Sequence, residues 1–590
     1  MELKRSNRLL FKKFLHYLLP TMVTYVAVSL NEFADSMIVA RLLGSKAMAI
    51  VNLGMPLMLA MAAIYTLLGS GAAMVYAVAL GRRDHETAGS SFTAAMFTAL
   101  VTGLLFPALG FLLFRPLSGI LCSDASLTAL FDGYLRILLY SAPLLIILLT
   151  FSSILPSAGY PVASTVVIVT ANVVNIIMDY VYIHVIGMGV EGAAWATFTG
   201  YACAVLVVVI GLVSGKMKLY VNRKIAASFR VIRDVLKAGA PDAMSQIGFA
   251  LQFAVCNMLA ASCAGEDAVV AFSLCIQSSS VLSVFLGALL GSALPLLAVV
   301  HGQRDYRGEA GILNTAMRGQ LLVAFLGTVL FEAFASQFAA LYNITEPGQA
   351  ALAITALRIY VLLYIPRYAV IMYYRYLKVI GLTGYATWMS MLDGFGAIIP
   401  IAWLMTALFG TTGLWVAFPL TSLLLFLAMI LLNRRYAARS GGKLRGLMLY
   451  EQDEENELIA DVTISGNPEE ISGISEVVQK LCEERGADHR KAVATGLAVE
   501  EIAVYAANRK KQDAYMDLIV RLDHDAIVIE FRSIGTIYNP LADMEDDIPE
   551  NVLLLRSIAD VENEYILGMN STRLTIRGIG SGQKEEEKTP

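Results

Sequence analysis

Two carboxylates three residues apart, Glu32 and Asp35, lie within the first long apolar stretch of the sequence, and a later stretch holds Asn175 and Asp179, four apart. At helical spacing each pair falls on one face of its helix. Thr197, in the following apolar stretch, is placed where its hydroxyl could face them. Carboxylate, amide and hydroxyl oxygens together suit a hard cation or a proton. A carboxyl group withdrawn from water takes up a proton more readily, which is the property a proton-coupled site needs. Ionisable side chains within a membrane are costly and face protein or water, so each is a functional candidate. The plainer alternative is that these groups only hydrogen-bond helices together. For three further charges in apolar stretches, Asp393, Glu332 and Arg367, helix pairing or snorkelling is the expected role.

The elements that must position these residues follow from composition. Of 590 residues 57% are hydrophobic and 16% charged, too little polar surface for a water-soluble fold of that length. Nearly uncharged runs long enough to cross a bilayer recur up to about Leu432 and stop from Glu451 onward. They predict twelve spans, near 14–42, 47–80, 90–114, 128–154, 160–186, 190–214, 236–263, 268–300, 312–342, 350–378, 383–409 and 412–433. The basic start of the chain leads into a stretch with no small-residue cleavage pattern, so it reads as a retained first helix. Lys12 and Lys13, Arg82 and Arg83, Lys216 and Lys218, Arg304 and Arg307, and Arg434 and Arg435 mark alternate loops. That bias places both termini in the cytoplasm of a cell whose inner (plasma) membrane the chain crosses. The six cysteines show no ligand spacing, no metal site is expected, and the net charge of −4 gives no reason to expect nucleic acid.

An internal repeat organises the spans. Pro20 corresponds to Pro241, Gly81 (ALGRRDH) to Gly302 (VHGQRDY), and Gly192 (GVEGAAW) to Gly413 (GTTGLWV), at a constant separation of 221 residues. Six helices per copy means that both enter the membrane in the same sense, related by an axis along its normal. The predicted fold is therefore an all-α polytopic membrane protein of twelve helices in two pseudo-symmetric lobes, residues 1–218 and 219–436. A polar linker, 437–454, joins them to an α+β sandwich at 455–580.

Three segments resemble the multidrug and toxic compound extrusion family: NEFADSMIVARLLGSKAMAIVNLGMP, GSGAAMVYAVALGRRDHETA and NVVNIIMDYVYIHVIGMGVEGAAWAT. The resemblance extends over about residues 10 to 435. It implies a cation site in the first lobe formed by Asp35, Asn175 and Asp179, with Thr197 as the matching hydroxyl. It implies export of organic solutes, by alternating access, against H+ or Na+. The seventh helix, Asp242 to Cys263, departs from other branches in carrying no carboxylate in its interior, so no sodium site is expected in the second lobe. Glu32, Met55, Tyr65 and Tyr364 are candidate liners of a substrate cavity.

In the tail, LAVEEIAVYAANR, FRSIGTIYNPL and NSTRLTIRG resemble the histidine-kinase-like ATPase fold of the anti-sigma-factor serine kinases. That resemblance implies a nucleotide site at Glu501, Tyr505, Ser533 and Gly535. Of these, Tyr505 replaces the metal-ligand Asn, and Ser533 replaces the adenine-binding Asp. The lid, ENVLLLRS around Asn551, has no glycine. The expected module binds nucleotide weakly or not at all and serves regulation or docking.

The expected activity is a non-enzymatic secondary antiporter without a cofactor beyond its coupling ion, with a small-molecule substrate and a lipid surround. A cytoplasmic protein is a candidate partner of the tail. The alternatives are flipping of lipid-linked precursors, which a cationic cavity would favour, and a membrane-tethered kinase-like regulator. No GxxxxGK[ST] phosphate loop is present, which argues against direct ATP-driven pumping.

Overall fold

A computed structural model describes residues 5–122, 124–222, 228–342, 344, 346–446, 448–451, 457–508, 515–523, 526–535, 537 and 559–577. In a medium without water every backbone N–H and C=O must be satisfied within the chain, so apolar runs of this length become helices. Their starts are set locally. Asp84 accepts a hydrogen bond from the Thr87 amide at 2.9 Å, Asp124 accepts one from the Ser126 amide at 2.8 Å, and prolines open the helices at Pro161 and Pro347.

In chain order the helices are α1 (Arg8–Leu43), α2 (Ser45–Gly81), α3 (His85–Leu112), α4 (Phe114–Leu121), α5 (Ala125–Ile154), α6 (Pro161–Tyr180), α7 (Val190–Val213), α8 (Ser228–Gly302), α9 (Tyr306–Ala333), α10 (Ala335–Leu341), α11 (Pro347–Tyr360), α12 (Tyr364–Val379), α13 (Thr383–Met391) and α14 (Ile398–Arg439). Among the described residues nine helical segments are long and apolar enough to cross a membrane. Two of them are really pairs: Phe229–Gly302 breaks at Ala264 and Gly265, and Thr383–Arg439 breaks at Gly410. Separating those pairs, and adding α1 with its uncharged run from Phe14 to Asn31, gives the twelve crossings.

The duplication is written into the backbone. Positive φ recurs at Gly44 and Gly265 (81° and 60°), at Arg83 and Arg304 (61° and 57°), and at Gly189 and Gly410 (65° and 60°). Each pair is again 221 residues apart. The Arg83–Arg304 correspondence is the most specific, because a non-glycine side chain is seldom held in that region. Sequence hydropathy missed one feature of each copy, leaving α4 between the spans 90–114 and 128–154 and merging α10 into 312–342. The short helices α4 and α10 begin at equivalent positions, 114 and 335, after the equivalent breaks at Leu113 and Phe334.

The two copies meet where α2 crosses α8. A Cβ placed on Gly81 would strike the carbonyl oxygen of Val299 and lie 3.0 Å from the Cα of Gly302. One placed on Gly302 would strike the carbonyl of Val78 and lie 3.0 Å from the Cα of Gly81. The repeat-related glycines therefore touch each other, and only the absence of a side chain lets the backbones come this close.

By contact the chain divides into two units: 14–305 with 312–435, and 1–13 with 306–311 and 436–590. In the second unit, strands β3 (Leu458–Ile464), β4 (Met516–Asp523), β5 (Ala526–Ile534), β6 (Asp560–Ile566) and β7 (Met569–Ile576) form one antiparallel sheet in the order β3-β4-β5-β7-β6. A two-stranded ladder, β1 (Leu444–Arg445) with β2 (Tyr450–Glu451), precedes it. Helices α15 (Pro468–Glu484) and α16 (His489–Asn508) share an apolar core with Val462, Leu518 and Phe531. The helix expected near Asn551 to Ala559 lies, apart from Ala559, outside the described residues.

The alternate side chains of these strands are polar and also buried. Glu530 takes the Arg573 guanidinium at 3.0 Å and Arg532 at 3.4 Å. Burial works against its charge, but Arg532, Arg573 and Arg521 together hold its carboxyl below the ordinary range. The N-terminal segment belongs to this unit: Arg5 reaches Asp517 at 3.1 Å and Asp461 at 3.4 Å, the Ser6 amide donates to the Thr463 hydroxyl at 3.0 Å, and Arg8 meets the Tyr515 hydroxyl at 2.7 Å.

Candidate functional site

Helices α6 and α7 approach closely because position 200 is glycine. A Cβ there would come 2.5 Å from the Ala171 carbonyl oxygen and 3.2 Å from the Cβ of Asn175. That approach lets the Asn175 side-chain amide, which is buried, donate to the Thr197 hydroxyl at 3.3 Å, while Thr197 donates to the Ala193 carbonyl at 3.1 Å. One turn further along α6, Asp179 is fully buried, and the helix then widens into a π turn at Val181–Val185. Such turns interrupt the regular ladder and are frequent at functional positions.

The structure brings the four predicted cation-site residues together on α1, α6 and α7. The carboxyl of Asp35 lies beside that of Asp179. Neither Asp179 oxygen has a donor from the protein among the described residues. Two ionised carboxylates offer only acceptors, so their contact is satisfied only when a proton or cation lies between them. Glu32, one turn before Asp35, is exposed and stands near Tyr65 of α2.

Two tyrosines escaped sequence reasoning. Tyr134 of α5 lies in the electrostatic neighbourhood of both aspartates, and Tyr201 of α7 lies near Asp35 and Tyr65. Tyr201 is four residues after Thr197 and so shares its face, a helical signal that was available; Tyr134 left none.

The remaining candidates separate. Met55 is half exposed on α2. Tyr364 is not a cavity liner: it is fully buried in the second lobe's core, its hydroxyl bonded to Ser278 at 2.6 Å, and its neighbour Tyr360 meets Ser279 at 3.1 Å. Hydropathy could not distinguish a packed aromatic face from a lining one.

A second correction concerns the seventh helix. It begins at Ser228, so Asp242 lies well inside it; the carboxylate is buried, paired with Lys378 and 3.3 Å from Arg375, both of α12. The charges expected to pair helices do so at Arg367 and Asp393, 3.5 Å apart.

In the tail, Glu501 and Tyr505 lie on α16, with Tyr505 packed against the apolar core. Ser533 is buried in the ladder between Met516 and Asn570, and Gly535 follows the end of β5, its carbonyl accepting from Tyr565 at 3.4 Å. The lid sequence around Asn551 is outside the described residues.

Residues 20–181 match the MatE family model. The multidrug export protein MepA of Staphylococcus haemolyticus (strain JCSC1435) is 22% identical over 424 residues, covering 72% of this chain and 93% of that protein. The protein of the same name from Staphylococcus aureus (strain NCTC 8325 / PS 47) is 21% identical over 428 residues, covering 71% and 93%. Among solved structures, a multidrug resistance MATE family transporter of the MOP superfamily, in an outward-facing conformation, superposes with a TM-score of 0.68 at 20% identity, over 72% of this chain and 96% of that one. A MOP superfamily transporter from Pyrococcus furiosus Vc1 (DSM3638), whose binding pocket has reverse polarity, gives 0.67 with the same identity and coverage. At this identity the structural likeness establishes the fold.

Proposed function

We propose that the membrane part of this chain is a MATE family transporter that exports organic cations, drugs or toxic metabolites in exchange for H+ or Na+ by alternating access. The observation that carries the reading is the Asp35–Asp179 contact, with Asp179 wholly buried and its oxygens without a protein donor. Charge repulsion between the two groups favours whichever state of the first lobe supplies a positive charge between them. Binding of that charge from one side of the membrane and its release on the other biases which way the chamber faces. Asn175 and Thr197 supply the further oxygens of the site. The loop cations support cytoplasmic termini and insertion in the cell's inner membrane.

The test is efflux of a fluorescent organic cation from vesicles under imposed proton or sodium gradients, comparing wild type with Asp35→Asn and Asp179→Asn. Loss of gradient-driven efflux in both variants is expected. Transport with unchanged ion dependence in both would remove the site. Lipid-linked precursor flipping calls for a cationic lining, whereas Arg367, Arg375 and Lys378 are engaged by Asp393 and Asp242. The tail reads as a regulatory or docking module with little or no nucleotide affinity. Calorimetry of the full-length protein against a version ending at 454 checks this: the expected result is no magnesium-dependent ATP heat attributable to the tail.

A further inference from the structure

The four positions of the first-lobe site have direct counterparts in the second copy of the repeat. Asp35, Asn175, Asp179 and Thr197 correspond, 221 residues on, to Cys256, Gly396, Pro400 and Phe418. Not one of these can supply a side-chain oxygen. Among the carboxylates that the second copy nevertheless buries are Asp242 and Asp393, at places where the first copy has Thr21 and Asn172. Each faces a cation from α12. Lys378 and Arg375 both attend Asp242, and Arg367 attends Asp393. The first-copy counterparts of those three cations are Ser157, Ile154 and Ile146, so these positions offer the first lobe's aspartates no charge. The surroundings of Asp242 are otherwise polar and neutral. Ser70 of α2 and Tyr25 of α1 stand near it, and Tyr374 lies beside Arg375.

A buried ion pair in an apolar medium persists because removing either partner leaves an uncompensated charge. An ammonium within contact of a carboxylate also occupies the space and the field that a mobile cation would need. We infer that the second lobe carries its own counter-ions, Lys378 and Arg375 holding the seat on Asp242 that a coupling cation would otherwise take, so that ion coupling is confined to the first lobe. The inference rests on the proposed first-lobe site, and the two can fail separately.

The experiment uses the full-length protein purified in detergent and measures its melting temperature in sodium against choline chloride, and across mildly acidic to neutral pH. Asp35→Asn/Asp179→Asn is made first. If this variant keeps the wild-type ion response, the first-lobe reading fails before the second lobe is touched. In that background Arg375→Gln/Lys378→Met is expected to create a new stabilisation by sodium or by acid, because Asp242 is left without a cation, and adding Asp242→Asn is expected to abolish it. No new ion response from the freed Asp242 overturns the inference. Should the unpaired carboxylate prevent folding, the neutral replacement Asp242→Asn/Lys378→Met in the otherwise wild-type protein decides: half-saturating ion concentration for efflux unchanged is the expected result, and a shifted one shows Asp242 in the coupling path.

Discussion

At the scale of single residues, the site depends on contacts between helices far apart in sequence. Asn175 and Asp179 were legible because i, i+4 spacing declares a shared face, and Thr197 because α7 follows α6 directly. Tyr134 was not, since nothing near position 134 signals two aspartates on other helices. The same holds for Asp242 and Lys378, 136 residues apart. Thr197→Ala removes the acceptor of the Asn175 amide and leaves that buried group with one partner fewer, a cost of about 1 kcal/mol. The expected result is an ion affinity weakened by about fivefold, 1.4 kcal/mol being tenfold, with the protein still folded. Half-saturating ion concentrations in vesicle efflux measure it. An unchanged value would assign the Asn175–Thr197 bond to helix packing alone.

At the scale of elements, apolar run length and turn residues specify nearly all the helices, and strand alternation specifies the tail's sheet. What they do not specify is direction within an apolar run, which is why α10 passed as a continuation of its neighbour and α4 as part of a loop. The sheet's second face shows another limit: Asp517, Glu530 and Arg532 are buried, and strand alternation does not distinguish a buried polar face from a solvated one. Glu530 has a depressed carboxyl pKa in the folded unit, held down by its guanidinium neighbours. Its contribution to stability is therefore complete above its unfolded value, near 4.5, and is lost as pH falls through the lower folded value. The tail should unfold in acid more readily in wild type than its neutral-pH stability suggests, and Glu530→Gln should flatten that dependence while lowering stability at pH 7. Tail-specific proteolysis across a pH series would show it, and a steeper acid transition in Glu530→Gln would contradict it.

At the scale of the whole molecule, the constant separation of 221 residues was the strongest sequence signal, and matching backbone angles at Gly44, Arg83 and Gly189 with their counterparts agree with it. The sequence did not reveal that the chain's first residues join the tail unit. Arg5 is nearly buried between Asp461 and Asp517, so Arg5→Ala takes the ion-pair partner from Asp517 and leaves Asp461 with the more exposed Arg307 at 3.6 Å. A destabilisation of that unit of roughly 3 kcal/mol or more is expected, seen as faster cleavage of the tail by added protease. Unaltered cleavage would make the pairing incidental. The meeting of Gly81 with Gly302 has a consequence of its own. A surface that pairs a residue with its own copy is self-complementary in the manner of an isologous dimer interface. An ancestor of half the length would have needed no second partner, and two separately expressed halves divided after residue 218 should still find one another and co-purify. For the same reason, bulk introduced on one side, as in Gly81→Val, has no empty space to fill on the other, and neither copy can change alone at this crossing without its twin resisting.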